Sequence, residues 1–175
     1  DGHCIGVANH ASYLDAYVLY AALPPRFTFV AKRELGEHRL TGPLLRRIGT
    51  RFVERGDPQR AVADTETLHA ALDAGEALGW FPEGTFDRAP GLRPFRMGAC
   101  AAAVQTGVPV VPVALRGTRD MLRAEQWRPE RGRLEVTVTP PLSPDGDGWE
   151  AALRLRDASR RAILPHCGEP DLLRH

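Results

Sequence analysis

The residues that could do chemistry fall in a few short segments. In Asn9-His10-Ala11-Ser12-Tyr13-Leu14-Asp15 a histidine precedes a carboxylate by five residues, where an apolar run gives way to helical spacing. In α/β sheets such strand-to-helix junctions are where ligands bind. A histidine there can take a proton from a hydroxyl, and a carboxylate in the first helical turn can fold back to hold the ring and favour the imidazolium. His10 and Asp15 would then form a two-residue base that activates an alcohol. The same stretch, Ser12 to Asp15, also matches a helix capping box, in which Asp15 would only satisfy orphan N–H groups.

A second carboxylate stands in Phe81-Pro82-Glu83-Gly84-Thr85, again after an apolar run. Flanking Pro and Gly fix a tight loop. Glu83 could accept hydrogen bonds from a polyol, while the turn's N–H groups, at Gly84 and around it, and the Thr85 hydroxyl could face a phosphate; an ordinary turn would look the same. Gly49-Thr50-Arg51-Phe52-Val53-Glu54-Arg55-Gly56 places Arg55 just past a short strand, where a guanidinium can take phosphate oxygens two at a time or simply pair with Glu54. Lys32 is the sole lysine in the sequence. In Val108-Pro109-Val110-Val111-Pro112-Val113 two prolines that cannot donate to a ladder point to an edge or irregular strand.

Elements must hold these segments in place. Runs rich in Val, Ile and Phe at 4–8, 27–31, 51–54, 77–81, 108–115 and 134–139 are expected to be short buried strands. Helical spacing marks 13–23, 59–74 with Leu68 and Leu72 on one face, 97–106 and 150–164. That alternation predicts one α/β domain over residues 1–175, a mixed, largely parallel sheet flanked by helices. The chain starts almost on its first strand, which reads as a domain cut from a longer protein.

With 23 basic against 22 acidic residues, overall charge does not mark a nucleic-acid binder. Charge is nevertheless uneven: residues 26–60 carry nine basic and four acidic side chains, enough to hold a phosphate or lie against anionic lipid. Three widely spaced cysteines, Cys4, Cys100 and Cys167, fit neither a disulfide framework nor a zinc site and suggest a reducing compartment. No apolar stretch approaches the roughly 18 residues of a spanning helix.

In order and spacing these segments resemble the glycerolipid acyltransferases of the 1-acylglycerol-3-phosphate acyltransferase type. The family's N-H-x-x-x-x-D is matched by Asn9, His10 and Asp15; its G-x-x-F-[IV]-x-R by Gly49, Phe52, Val53 and Arg55; its F-P-E-G-T by Phe81 to Thr85; its V-P-[IV]-[IV]-P-V by Val108 to Val113. An A-K-x-E-L segment, Ala31 to Leu35, contains Lys32. The resemblance implies a glycerol-3-phosphate acyltransferase-like fold and O-acyl transfer from acyl-CoA or acyl carrier protein to a lysophosphatidate-like acceptor. His10 would be the base and Asp15 its partner, with no acyl-enzyme, metal or bound cofactor. It further implies that Arg55, Glu83, Gly84, Thr85 and Lys32 bind the glycerol phosphate, and that Pro109 and Pro112 wall the acyl chain. The expected setting is cytoplasmic, peripheral at the membrane face, with a lysophospholipid and a membrane surface as partners and no nucleic acid. After Thr85 the family usually continues with Arg and Ser; here Phe86, Asp87 and Arg88 follow.

Other readings are a different acceptor (glycerol 3-phosphate or an amino-lipid) or a noncatalytic phospholipid-binding module. A serine hydrolase would need Ser12, which lies too near His10 in sequence and outside any G-x-S-x-G elbow. A cysteine hydrolase would need Cys100, which reads as a small buried helix residue.

Overall fold

The computed structural model describes residues 3–23, 27–37, 42–53, 58–126 and 128–173, with the backbone alone at 32, 35, 44 and 58–65. Among them run β1 (Ile5–Ala8), α1 (Asp15–Ala22), β2 (Phe27–Lys32), α2 (Arg33–Glu37), α3 (Gly42–Arg47), β3 (Arg51–Val53), α4 (Pro58–Asp73), β4 (Ala77–Trp80), α5 (Gly98–Thr106), β5 (Val110–Arg116), α6 (Thr118–Met121), β6 (Glu135–Val138) and α7 (Gly148–Cys167). The strands form one six-stranded sheet in the order β3-β2-β4-β1-β5-β6. All neighbours are parallel except β5 and β6, which are antiparallel.

Each central strand is apolar on both faces because helices cover both, and alternation sorts its side chains between two cores. Ile5, Val7, Val30, Leu78, Trp80, Val110 and Ala114 face the larger core, with Leu68 and Leu72 of α4, Ala99 and Ala103 of α5, and Leu155 and Ile163 of α7. Ala8, Phe29, Val113 and Leu115 face the smaller one, with Leu19 of α1. Gly6 and Gly79, paired in register on β1 and β4, leave room on that second face for aromatic rings. A Cβ on Gly6 would overlap the Phe27 ring, and one on Gly79 would lie 2.9 Å from Phe27 and 3.0 Å from Phe29.

One expectation is overturned. The strand with the two prolines is not an edge: β5 lies between β1 and β6. Pro109 precedes it, and its carbonyl accepts the Ile5 N–H at 2.9 Å. Pro112 sits where β6 has already ended, its carbonyl accepting the Thr139 N–H at 2.9 Å. Its imide nitrogen lies on that same strand edge, so no ladder bond within β6 is lost.

Candidate active site

Strands β1, β4 and β5 bring their carboxyl ends together, and the first two chemical segments leave the sheet there. Asn9 is fully buried and acts as a false backbone group: its Nδ2 donates to the Leu115 carbonyl at 2.9 Å, and its Oδ1 accepts the Leu115 N–H at 2.7 Å. This ties the end of β1 to β5 and fixes where His10 begins.

His10 Nδ1 lies 2.8 Å from Asp15 Oδ2, with the His side chain 18% exposed and that of Asp15 fully buried. The same Asp15 oxygen accepts the N–H groups of Ala11 at 2.6 Å and Ser12 at 2.8 Å. Those donors lie upstream of α1, and the helix N-cap, Leu14, has no side-chain cap bond. Asp15 therefore folds the loop around His10, and its bond to the Ser12 N–H, with Ser12 Oγ accepting the Leu14 N–H at 3.1 Å, is also the back-reaching bond of the capping box expected over Ser12 to Asp15. With Nδ1 turned to Asp15, Nε2 makes no hydrogen bond among the described residues.

Rings hold the imidazole from two sides. Phe81 stacks on it with centroids 4.3 Å apart, and Phe86 meets it edge-on at 4.4 Å. Phe29 stacks beneath Phe81 at 6.2 Å, and Tyr13 packs edge-on against Phe86 at 4.9 Å. These rings, with Tyr17 and Leu45, line an apolar cavity of about 110 Å³ that opens on His10. An apolar wall beside the imidazole strengthens its electrostatics and suits a hydrocarbon ligand.

Glu83 serves His10 through the backbone. Its Oε1 accepts the His10 N–H at 2.7 Å and its Oε2 accepts the Arg93 N–H at 2.8 Å. The residue is 4% exposed. Burial pushes its carboxyl up to about 7, against the pull of those two N–H groups and with a further upward push from Glu169 and Asp15. Sequence reasoning gave Glu83 a polyol to bind; in the structure its two oxygens each accept a backbone N–H and tie the His10 loop to residues 91–93. That segment is in turn pinned by Arg160, which reaches the Leu92 carbonyl at 2.6 Å and Asp171 at 2.7 Å, and by Glu169, which pairs with Arg119 at 2.6 Å.

The remaining expected residues fall as follows. Gly84 has φ +75°, the left-handed region, and Thr85 is exposed beside it. Lys32 is the last residue of β2, in register with Val53 at the carboxyl end of β3. Arg55 lies outside the described residues. Neither Pro109 nor Pro112 is among the residues lining the apolar cavity. Ser12 is buried, its hydroxyl donating to the Leu122 carbonyl at 2.6 Å and accepting the Leu14 N–H at 3.1 Å. Cys100 is buried in α5, which pushes its thiol up to about 11, far from thiolate chemistry. Sequence reasoning missed Phe86 and the Arg93 N–H as parts of the site; the only trace of the first was the break in the motif after Thr85.

Residues 1–116 match the family model described as Acyltransferase. The chain belongs to the Acyltransferase family. It is 32% identical over 175 aligned positions to the lyso-ornithine lipid O-acyltransferase of Pseudomonas aeruginosa, covering 90% of this chain and 67% of that protein. It is 31% identical over 159 residues to bovine (Bos taurus) 1-acyl-sn-glycerol-3-phosphate acyltransferase alpha, covering 90% of this chain and 55% of that one. It thus spans little more than half the length of this and similar curated relatives. Among solved structures, the 1-acyl-sn-glycerophosphate (LPA) acyltransferase PlsC of Thermotoga maritima superposes with a TM-score of 0.74 at 28% identity, over 94% of this chain and 66% of that one. The acyltransferase fold inferred from the motifs is therefore the fold observed.

Proposed function

We propose that this acyltransferase domain moves a fatty acyl group from a thioester, acyl-CoA or acyl carrier protein, to the hydroxyl of a lysophosphatidate-like acceptor. The observation that carries the reading is the 2.8 Å His10–Asp15 contact, which leaves Nε2 beside an apolar cavity. His10 Nε2 removes the acceptor's hydroxyl proton as its oxygen attacks the thioester carbonyl. The resulting tetrahedral oxyanion collapses, the C–S bond breaks, and the departing thiolate takes the proton from the imidazolium. The new ester bond replaces the thioester, and His10 returns to its starting state without an acyl-enzyme. Asp15 stabilises the imidazolium and fixes the ring's orientation.

The acceptor's glycerol phosphate is assigned to the Gly84–Thr85 turn with Arg55 and Lys32. The name of the bovine relative supports a lysophosphatidate acceptor; that of the Pseudomonas relative supports an amino-lipid as a second reading. Among the described residues no helix is long and apolar enough to cross a membrane. A membrane surface is proposed as the docking site because Tyr13 and Tyr20 are 44% and 51% exposed, with Tyr13 at the apolar cavity, and residues 26–60 are basic. The test is an acyl-transfer assay with a panel of lyso-acceptors and both donor types, read by mass spectrometry of the lipid product. Diacyl product from lysophosphatidate is expected; ester hydrolysis without transfer, or product from none of the acceptors, would overturn the reading.

A further inference from the structure

We infer that Arg96 is a specificity-determining residue, its guanidinium lying over the Gly84 turn to read the acceptor's phosphate. The inference rests on the acyl-transfer reading above and adds a residue that none of the motifs contains.

The local structure fixes where Arg96 stands. Its backbone N–H donates to the Pro82 carbonyl at 2.9 Å, and the preceding Phe95 is buried in the larger core, so the residue is held directly against the turn that carries Glu83. The side chain then runs across Gly84. A Cβ on that glycine would lie 2.9 Å from Arg96 Nε and 3.0 Å from Cζ. The missing Cβ therefore has two uses here: the turn needs φ +75°, and the guanidinium needs the space.

Chemically, the group is available. Arg96 is exposed, and its side chain makes no hydrogen bond or ion pair among the described residues. Its neighbours are committed: Arg93 pairs with Asp87, and Arg119 pairs with Glu169 while also donating to the Asp87 carbonyl. Position 86, immediately after the turn, holds a ring that packs on His10 and cannot bind an anion. A planar guanidinium with free N–H groups, one turn from the residue that positions the base, suits a phosphate monoester. A zwitterionic ornithine head, which has no phosphate, gains less from it.

The experiment measures KM and kcat for lysophosphatidate and for a lyso-ornithine lipid, at saturating acyl-CoA, in the parent, Arg96→Ala, Arg96→Lys and Arg88→Ala. Equilibrium dialysis of glycerol 3-phosphate runs alongside and needs no turnover. Arg96→Ala should raise the lysophosphatidate KM and weaken glycerol 3-phosphate binding about tenfold or more, leave the lyso-ornithine KM within twofold, and leave kcat nearly unchanged; Arg96→Lys should recover part of the loss. Equal glycerol 3-phosphate binding by parent and Arg96→Ala, an equal KM rise for both acceptors, or the same phosphate-selective loss in Arg88→Ala would overturn the inference. If the parent acylates neither acceptor yet Arg96→Ala still weakens glycerol 3-phosphate binding, the acyl-transfer reading falls and the phosphate role of Arg96 stands.

Discussion

Replacing Glu83 by Gln separates its charge from its shape. The parent carboxyl is pushed from 4.5 to about 7 on folding, mainly by burial. The folded state thus holds a proton more tightly than the unfolded one, and stability is fully present below the unfolded value and falls as pH rises through 7. A shift of that size is worth roughly 3 kcal/mol between pH 4.5 and pH 8. The amide of Gln cannot ionise, so this loss disappears in the variant. It has, however, only one acceptor oxygen for two N–H donors, those of His10 and Arg93. Setting one donor against the amide NH₂ costs about 1–3 kcal/mol. Glu83→Gln should therefore be less stable than the parent at pH 5 and as stable or more so at pH 8. Urea midpoints at the two pH values, with unfolding followed by tryptophan fluorescence, measure this directly. Turnover of the folded variant should fall tenfold or more at either pH, because the His10 backbone loses half of its clamp, and each 1.4 kcal/mol of lost transition-state stabilisation is about tenfold in rate. Identical pH dependence in parent and variant would refute the buried, protonatable carboxyl; parent-like turnover would refute its role in positioning His10.

Asp15→Asn keeps an acceptor for the Ala11 and Ser12 N–H groups but removes the charge beside His10, and Asp15→Glu keeps the charge but displaces it. Each should cut turnover a hundredfold or more while melting within a few degrees of the parent, and parent-like rates in both would reduce Asp15 to a loop tie. Ser12→Ala removes a 2.6 Å bond to the Leu122 carbonyl and should cost about 1 kcal/mol of stability in a denaturant melt, with transfer largely retained; complete loss of activity in a folded variant would revive a serine nucleophile. Binding to liposomes should be stronger with anionic than with neutral lipid and weaken with added salt, at about 1 kcal/mol per basic residue near the surface; equal sedimentation with both would remove the electrostatic docking.

The elements most legible in the sequence are those whose signal is burial. The apolar runs around Ile5, Phe29, Leu78 and Val113 are strands covered on both faces, and each observed boundary lies within a residue or two of the expected one. Helices α2, α3 and α6 were not legible, being four to six residues long, with Gly42 and Pro43 opening α3 and too few turns in any of them for a helical period to show. The prolines of β5 misled because proline forbids only a lost ladder bond, and where β6 stops cannot be read from β5. At the site, His10 and Asp15 were legible because five residues of loop suffice to bring them together. Glu83 was legible as important and not as to its partners: the donors that reach it come from His10 and Arg93, one of them 73 positions away, and only the packed turn shows that both of its oxygens are taken. Arg96 carried no motif, and its place is visible only through the space that Gly84 leaves.

The most direct test of His10 as the base for acyl transfer is the turnover of His10→Ala beside the parent, with lysophosphatidate and acyl-CoA at saturation. Circular dichroism and a thermal melt would show that both are folded. Phe81 and Phe86 still wall the site in the variant, and Asp15 still holds the Ala11 and Ser12 N–H groups, so the fold is expected to persist. Loss of a general base lowers turnover by about a hundredfold to ten-thousandfold. That is the predicted result; a folded His10→Ala protein that forms diacyl product at near the parent rate would contradict it.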